Sequence, residues 1–258
     1  MRKLQVLTGK LWWFPVLLLI VIFLGSFRKT SSYPERLVHD FSVDTTSSPE
    51  KAAATYTTRS FVEEKLDVYD SLNLEASGLS RNVFELALKG MYKLIRKGHI
   101  KQNILSIIDF SQPSVNKRLY VIDLDSYTLL YNTWVAHGVK SGKLAATYFS
   151  NKPASHKSSL GFYVTGETYK GSNGYSLKLL GVEKGINDYA FRRGIVMHGA
   201  DYVSEEFIQS QGYIGRSYGC PAVPSDISRE LIDHVKEGTC LFIYHPSAAY
   251  RSKSSLIK

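Results

Sequence analysis

A cysteine and a histidine near the end of the chain could together carry out nucleophilic chemistry. His198 is followed by Gly199, and Cys220 comes twenty-two residues after His198, within the turn-rich sequence GRSYGCP at residues 215–221. A free thiol has a pKa of about 8.5 and needs a base or a cation nearby to supply the thiolate. Backbone N–H groups in the turn before Cys220 could stabilise a developing oxyanion. The pair therefore predicts an acyl-transfer site with Cys220 as nucleophile and His198 as base.

Two prolines bear on how this thiol is activated. Pro221 disfavours the helical conformation at Cys220, and Pro224 would fall inside the first turn of a helix begun there. We therefore expect Cys220 to lie away from a helix N-terminus, where the helix dipole would lower its pKa. Activation then depends mainly on His198, which argues against a papain-type arrangement.

The segment around these residues has the pattern of a mainly β domain. Six strand-like runs follow Lys117, and the first two flank a turn at Asp125 as a predicted hairpin. Short helices are predicted at about 204–211 and 226–237. We expect a mainly β (α+β) fold, with a β-sandwich-like catalytic domain over residues 115–250.

A helical region precedes this domain. Between a candidate N-cap at Ser80 and a stop at Gly98, apolar residues recur with the period of a helix: Val83, Phe84, Ala87, Leu88, Met91, Leu94 and Ile95. We expect residues 61–114 to form a helical preface whose apolar stripe packs into a core.

The N-terminus has the pattern of an export signal. Basic residues precede an uncharged apolar stretch at residues 11–27. As a helix this stretch would be roughly 25 Å long, near the lower limit for spanning a bilayer. Residues 1–29 are therefore either a removed signal peptide or an anchor in the inner membrane, and residues 30–60 have the composition of a linker. Both alternatives place the body outside the cytoplasm, in the periplasm or cell envelope.

The charge distribution argues against nucleic acid as a partner. The formal net charge is +9, but the first thirty residues carry five basic side chains and no acid, which leaves +4 for the rest. No dense stripe of Lys and Arg follows. A binding site for a polyanion normally shows such a stripe.

The two cysteines, Cys220 and Cys240, leave a disulfide open in an exported protein. Cys240 lies in an apolar run typical of a buried strand, whereas Cys220 lies in a turn, so we favour two free thiols. A zinc site from these cysteines and His198 would lack a closely spaced ligand pair. We therefore expect no metal and no other cofactor.

Two motifs resemble those of the L,D-transpeptidase (YkuD-like) family, and more closely its murein L,D-transpeptidase catalytic-domain branch. The family pairs HG with a later SHGC, and this chain has HG at His198-Gly199 and SYGC at residues 217–220. The phrases SLGFYVTGETYKG, GYSLKLLGVE and GTCLFIY are also similar, so the resemblance covers about residues 66–250. Tyr218 stands where the family has its second histidine. A phenol donates a hydrogen bond but does not accept a proton at neutral pH as imidazole does.

The resemblance implies an enzyme acting on peptidoglycan stem peptides through a thioester on Cys220. His198 would be the base, the Gly199 carbonyl would orient its imidazole, and the amides of Tyr218, Gly219 and Cys220 would form the oxyanion hole. An amine acceptor would give a cross-link (L,D-transpeptidase), and water would give L,D-carboxypeptidase activity. The residues alone also leave open an exported cysteine peptidase or amidase, and a catalytically silent wall-binding module.

Other side chains near the motifs are weaker candidates. Arg216 could pair with a substrate carboxylate, and Ser217 and Tyr202 could contact substrate. A surface role for Arg216 and a packing role for Tyr202 remain alternatives. His137 is more typical of a structural histidine, and His234, on a predicted helix, of a solvated one.

Overall fold

The structure is a computed structural model of the chain and describes residues 57–258. The predicted signal or anchor at residues 1–29 and most of the predicted linker at residues 30–60 lie outside the described residues. Within residues 57–258, no helix has the length and apolar character needed to cross a membrane.

Two helices come first in the described chain. Helix α1 spans Thr58–Ser71 and is capped by the Thr57 side chain, and helix α2 spans Arg81–Arg96 and is capped by Ser80 as predicted. Helix α1 therefore begins before the end of the region at residues 30–60 that we expected to be a linker throughout. A threonine N-cap directly before a helix-forming sequence explains this early start.

Eight strands form one mixed sheet in the described residues. They are β1 (Ile104–Asp109), β2 (Leu119–Asp123), β3 (Thr128–Thr133), β4 (Gly161–Gly171), β5 (Gly174–Gly181), β6 (Val196–Gly199), β7 (Ala222–Val223) and β8 (Cys240–Tyr244). Their order in the sheet is β3-β2-β1-β8-β4-β5-β6-β7. The remaining helices are short: α3 (Glu205–Gln211), α4 (Ser225–Val235) and α5 (Ala248–Lys253). The predicted mainly β (α+β) class is confirmed, and the predicted hairpin is β2–β3.

Strand β1 lies inside the region at residues 61–114 that we expected to be helical. Its sequence, ILSIID, is a short continuous apolar run, and periodicity alone cannot assign such a run to a helix or a strand. β1 lies between β2 and β8 in the sheet and pairs with both. Side chains of α1 and α2 belong to the same hydrophobic core as these strands. The helical region therefore ends at Arg96 and packs as part of the sheet's own core.

Helix α4 packs closely on the end of β6. A Cβ atom at Gly199 would lie 2.5 Å from the Ser228 Oγ atom and 3.2 Å from the Ser225 Cα atom. Only glycine allows this approach, since real Cβ atoms do not come so near to other heavy atoms. The contact fixes the end of β6, where His198 and Gly199 lie.

Candidate active site

The parallel pairing of β6 with β7 places Cys220 beside the strand that carries His198. His198 pairs with Ala222, so Cys220, two residues earlier, lies level with Val196, two residues before His198. The Val196 N–H group points to Cys220 Sγ at an N···S distance of 3.5 Å, and Sγ lies 3.6 Å from the Gly194 carbonyl oxygen. The sheet register thus brings the two predicted reactive residues to neighbouring positions.

His198 is buried, and the backbone fixes its ring. Its Nδ1 atom lies 2.9 Å from the Gly199 carbonyl oxygen, as the resemblance implied. A carbonyl can only accept, so Nδ1–H is the donor and Nε2 is the nitrogen free to take a proton. Burial lowers the pKa of His198, and the hydrogen bond to Gly199 partly opposes this effect. The imidazole is therefore neutral at pH 7 and can act as a base.

Cys220 is half-buried, and its surroundings both oppose and favour ionisation of the thiol. Burial raises the pKa of the Cys220 thiol, while the Val196 N–H group and the Arg193 guanidinium lower it. Among residues 57–258, no hydrogen bond joins Sγ to the His198 ring. Hydrogen bonds between catalytic groups are often long in free enzymes and shorten when substrate binds. The free protein thus holds a neutral thiol near a neutral imidazole.

Ser217 shapes the turn at residues 217–220. Its Oγ atom accepts a hydrogen bond from the Gly219 N–H group at 3.1 Å and donates one to the Cys220 carbonyl oxygen at 2.6 Å. The single O–H donor of Ser217 is therefore used within the turn, and the contact of Ser217 with substrate stays a prediction. Gly219 has φ 122°, and a Cβ atom there would lie 2.8 Å from the Lys157 carbonyl oxygen. The turn consequently requires glycine at this position.

The three amides predicted to form an oxyanion hole differ in availability. The Gly219 N–H group is already bound to Ser217. In the part of the chain that the structure describes, the Tyr218 and Cys220 N–H groups make no hydrogen bond to the protein. Tyr218 is 74% exposed, and its ring lies against that of His156 in a tilted arrangement, with ring centroids 4.5 Å apart. Two of the three predicted donors are thus without a protein partner, their role in an oxyanion hole stays a prediction, and the phenol lies outside the core.

Arg216 and Tyr202 lie next to the same turn. The Arg216 Nη1 atom donates to the Gly142 carbonyl oxygen at 3.1 Å, which anchors the guanidinium to the neighbouring segment. Tyr202 packs against Gly215, where a Cβ atom would lie 2.4 Å from the tyrosine Cβ atom. Burial raises the pKa of Tyr202 to about 12, so its phenol stays protonated at neutral pH. Substrate contacts by these two residues stay predictions.

Arg118 and His137 form a buried pair next to the turn at residues 217–220. His137 Nδ1 accepts a hydrogen bond from Arg118 Nη2 at 2.8 Å, and His137 Nε2 lies 3.3 Å from the Gly142 carbonyl oxygen. Burial and the Arg118 cation lower the pKa of His137 to about 3, so the ring is neutral. The His137 carbonyl oxygen accepts from the Ser217 N–H group at 3.0 Å. This placement agrees with the structural role favoured for His137, whereas the sequence gives no sign that Arg118 is buried.

Arg193 is a site residue that sequence reasoning missed. A Cβ atom at Gly219 would lie 3.2 Å from the Arg193 Nη2 atom, so the guanidinium lies directly beside the nucleophile turn. The only sequence signal is the Arg192-Arg193 pair shortly before β6, and nothing in that pair indicates which side chain points inward.

His234 is exposed and hydrogen-bonds to Tyr131, away from the turn.

Both cysteines are free, so the alternative disulfide does not form. Cys240 lies fully buried in β8, as the apolar run around it predicted. Over residues 57–258, no group of three or more His, Cys, Asp or Glu side chains is arranged to hold a metal ion.

The sequence model of the L,D-transpeptidase catalytic domain matches residues 75–244 of this chain. The chain belongs to the L,D-transpeptidase catalytic-domain family. The match includes both His198 and Cys220 and extends from the loop between α1 and α2 to the last residue of β8. Residues 75–244 therefore form an L,D-transpeptidase-like catalytic domain.

Several solved structures are similar to this L,D-transpeptidase-like chain at low identity. An L,D-transpeptidase from Mycobacterium smegmatis is 14% identical with a TM-score of 0.34, over 56% of this chain and 59% of that one. One from Stackebrandtia nassauensis is 13% identical with a TM-score of 0.34, over 63% and 68%. The helical cell shape determining protein of Campylobacter jejuni is 12% identical with a TM-score of 0.38, over 69% and 62%. No curated protein sequence matches the chain.

Proposed function

We propose that this enzyme is exported and transfers acyl groups of peptidoglycan stem peptides through a thioester on Cys220. The single observation that carries the proposal is the β6–β7 register, which sets Cys220 two residues from the position paired with His198. The family match supports the substrate class. The basic residues followed by an apolar stretch within residues 1–29 support export to the periplasm or cell envelope, with or without retention in the inner membrane.

The first half of the proposed reaction forms the acyl-enzyme. His198 Nε2 takes the proton of the thiol, and Cys220 Sγ attacks the carbonyl carbon at the L-centre of the diamino acid in a tetrapeptide stem. The amides of Tyr218 and Cys220 hold the developing oxyanion, an effect worth about 2.7–4 kcal/mol per donor in other acyl-transfer enzymes. The C–N bond then breaks, and His198 returns the proton to the departing D-alanine amine.

The second half releases the acyl group from Cys220. An amine of a neighbouring stem attacks the thioester carbonyl, His198 takes the amine's proton, and the C–S bond breaks to give a cross-link. Water in place of the amine gives the carboxylic acid and hence L,D-carboxypeptidase activity. Both outcomes use the same acyl-enzyme, so the acceptor alone separates them.

The test is to incubate the full chain with purified disaccharide-tetrapeptide and to analyse the products by mass spectrometry. A monomer lighter by one alanine would show hydrolysis, and a dimer lacking one alanine would show cross-linking. Both products should disappear in Cys220→Ala and persist in Cys240→Ala, the matched control. An unchanged tetrapeptide with wild-type protein would contradict the proposal. Cleavage of another wall amide in that experiment would favour the peptidase or amidase alternative.

A further inference from the structure

Arg193 lies beneath the nucleophile turn with an unusual set of partners. Its half-buried guanidinium makes four hydrogen bonds, all to uncharged groups. Nη1 donates to the Ser150 carbonyl oxygen at 2.8 Å and to Ser159 Oγ at 2.6 Å, and Nη2 donates to the Lys157 carbonyl oxygen at 2.6 Å and to Ser155 Oγ at 3.2 Å. No ion pair in the described part of the chain includes Arg193.

The same guanidinium lies against the turn that holds Cys220. A Cβ atom at Gly219 would lie 3.2 Å from Arg193 Nη2 and 2.8 Å from the Lys157 carbonyl oxygen that this nitrogen binds. Arg193 therefore lies close beside the residue directly before the nucleophile. It also ties the segment at residues 150–159 to that turn.

A partly buried cation without a carboxylate partner is costly, because the charge loses hydration that no opposite charge replaces. Neutral carbonyl and hydroxyl dipoles offset part of this cost at Arg193. The Cys220 thiolate, once formed, is an anion next to this cation. Burial lowers the pKa of Arg193, and the charges of Tyr163 and Cys220 oppose this effect. Burial raises the pKa of Cys220, and the Arg193 guanidinium is one of the two groups that oppose it.

The other titratable groups around Cys220 are uncharged near neutral pH. His198, on β6, is neutral because burial lowers its pKa, and Tyr202 is protonated because burial raises its pKa to about 12. Among residues 57–258, Arg193 is the side chain whose positive charge lowers the pKa of Cys220.

We propose that Arg193 is an electrostatic positioning residue that stabilises the Cys220 thiolate and fixes the segment at residues 150–159 against the nucleophile turn. The inference rests on the proposed function for the role of Cys220 as nucleophile. It concerns the ionisation of one thiol, however, and can be tested without any substrate of the enzyme.

The test measures how fast iodoacetamide alkylates Cys220 in the full chain across a range of pH, followed by intact-mass spectrometry. In this reaction the S–C bond forms as the C–I bond breaks, iodide leaves, and the thiol proton goes to solvent. Loss of a nearby cation raises the thiol pKa. Arg193→Gln should therefore move the midpoint of the pH profile up by about one unit, with alkylation about tenfold slower below the midpoint and the same plateau at high pH.

Two further variants make the result specific to charge. Arg193→Lys keeps the positive charge but lacks the planar guanidinium. Its midpoint should therefore lie much closer to that of the wild type than to that of Arg193→Gln. Arg192→Gln removes one charge from an exposed neighbour, whose guanidinium lies over Tyr189 at 5.6 Å, and should leave the midpoint unchanged. A wild-type midpoint in Arg193→Gln would overturn the inference, and so would an Arg193→Lys variant that behaves like Arg193→Gln.

Thermal unfolding of each variant shows whether it is folded. If Arg193→Gln does not fold, the double variant Ser155→Ala/Ser159→Ala decides together with Arg193→Lys. This double variant removes two of the four anchors of the guanidinium and keeps its charge, so the midpoint should stay within about 0.3 units of wild type, a small fraction of the shift expected for a lost charge. A shift of about one unit in this variant, which keeps the charge, would overturn the inference. Failure to release alanine from a tetrapeptide, with the alkylation profiles as expected, would contradict the proposed function and not the role of Arg193.

Discussion

The two cysteines of this enzyme lie in regions of opposite character. Cys240 is completely buried in β8, and burial raises the pKa of its thiol with no donor or cation opposing the effect. Burial also raises the pKa of Cys220, but there the Val196 N–H group and the Arg193 cation oppose it. Only Cys220, and not Cys240, lies beside the strand that carries His198.

This difference identifies Cys220 as the thiol that we expect to react. Burial acts on both cysteines, so it cannot distinguish them. The distinction comes from groups that favour the thiolate and from a base that can receive its proton. Those groups are brought together at Cys220 by the β6–β7 pairing and by the turn before β7.

The largest expected effect separates the two thiols directly. Cys220→Ala should lower alanine release from a tetrapeptide by roughly 10⁴-fold or more, as loss of a nucleophile does in other acyl-transfer enzymes. Cys240→Ala should keep the wild-type rate and lose about 1–2 kcal/mol of stability, because it leaves a small cavity in the core. Rates and denaturant unfolding of both variants check this. Equal losses of activity in the two variants would refute the distinction.

Removing the base should have the next largest effect. His198→Gln should lower kcat by roughly 10²–10⁴-fold, since general-base catalysis contributes about that much. Alkylation of Cys220 by iodoacetamide should continue in this variant, because the Arg193 cation remains. A His198→Gln enzyme with near wild-type kcat would show that another group accepts the thiol proton.

The pH profile sharpens the role of His198. Burial lowers its pKa, so the neutral, proton-accepting ring persists below the usual value of about 6.5. As the pH falls through this lowered pKa, the imidazole becomes charged and can no longer act as a base. The acid limb of kcat/KM should therefore have its midpoint below 6.5. A midpoint clearly above that value would argue against His198 as the base.

The smallest expected effect concerns the geometry of the turn. Gly219→Ala places a Cβ atom at positive φ and against the Lys157 carbonyl oxygen, so it should cost about 2–3 kcal/mol of stability. Gly185→Ala is the matched control, since Gly185 has φ 75° with no heavy atom within 4 Å of the added Cβ, and should cost about 1 kcal/mol. Denaturant unfolding measures both. Equal costs would mean that the turn can move away from Lys157.

Local signals in the sequence predicted much of the fold. Helix α3 lies within the bounds of about 204–211 that the sequence predicted, and the β2–β3 hairpin also lies where it was predicted. These elements depend on a few adjacent residues, so a pattern can identify them. The strand order and the two-residue β7 depend on pairing between distant segments, which local patterns do not contain.

The candidate site divides in the same way. Cys220, His198 and the glycine turn can be identified from the sequence, because the proposed chemistry requires those residue types. Arg193 and Arg118 are not visible, because nothing local distinguishes a buried arginine from its exposed neighbours. Their placement follows from tertiary packing.

The most direct test of the central claim is to look for the acyl-enzyme itself. The full chain is mixed with disaccharide-tetrapeptide, quenched with acid at short times, and analysed by intact-mass and peptide mass spectrometry. We expect a mass increase equal to the substrate less one alanine, located on Cys220, present in Cys240→Ala and absent from Cys220→Ala. Release of alanine with no adduct on Cys220, or an adduct that persists in Cys220→Ala, would contradict the thioester mechanism.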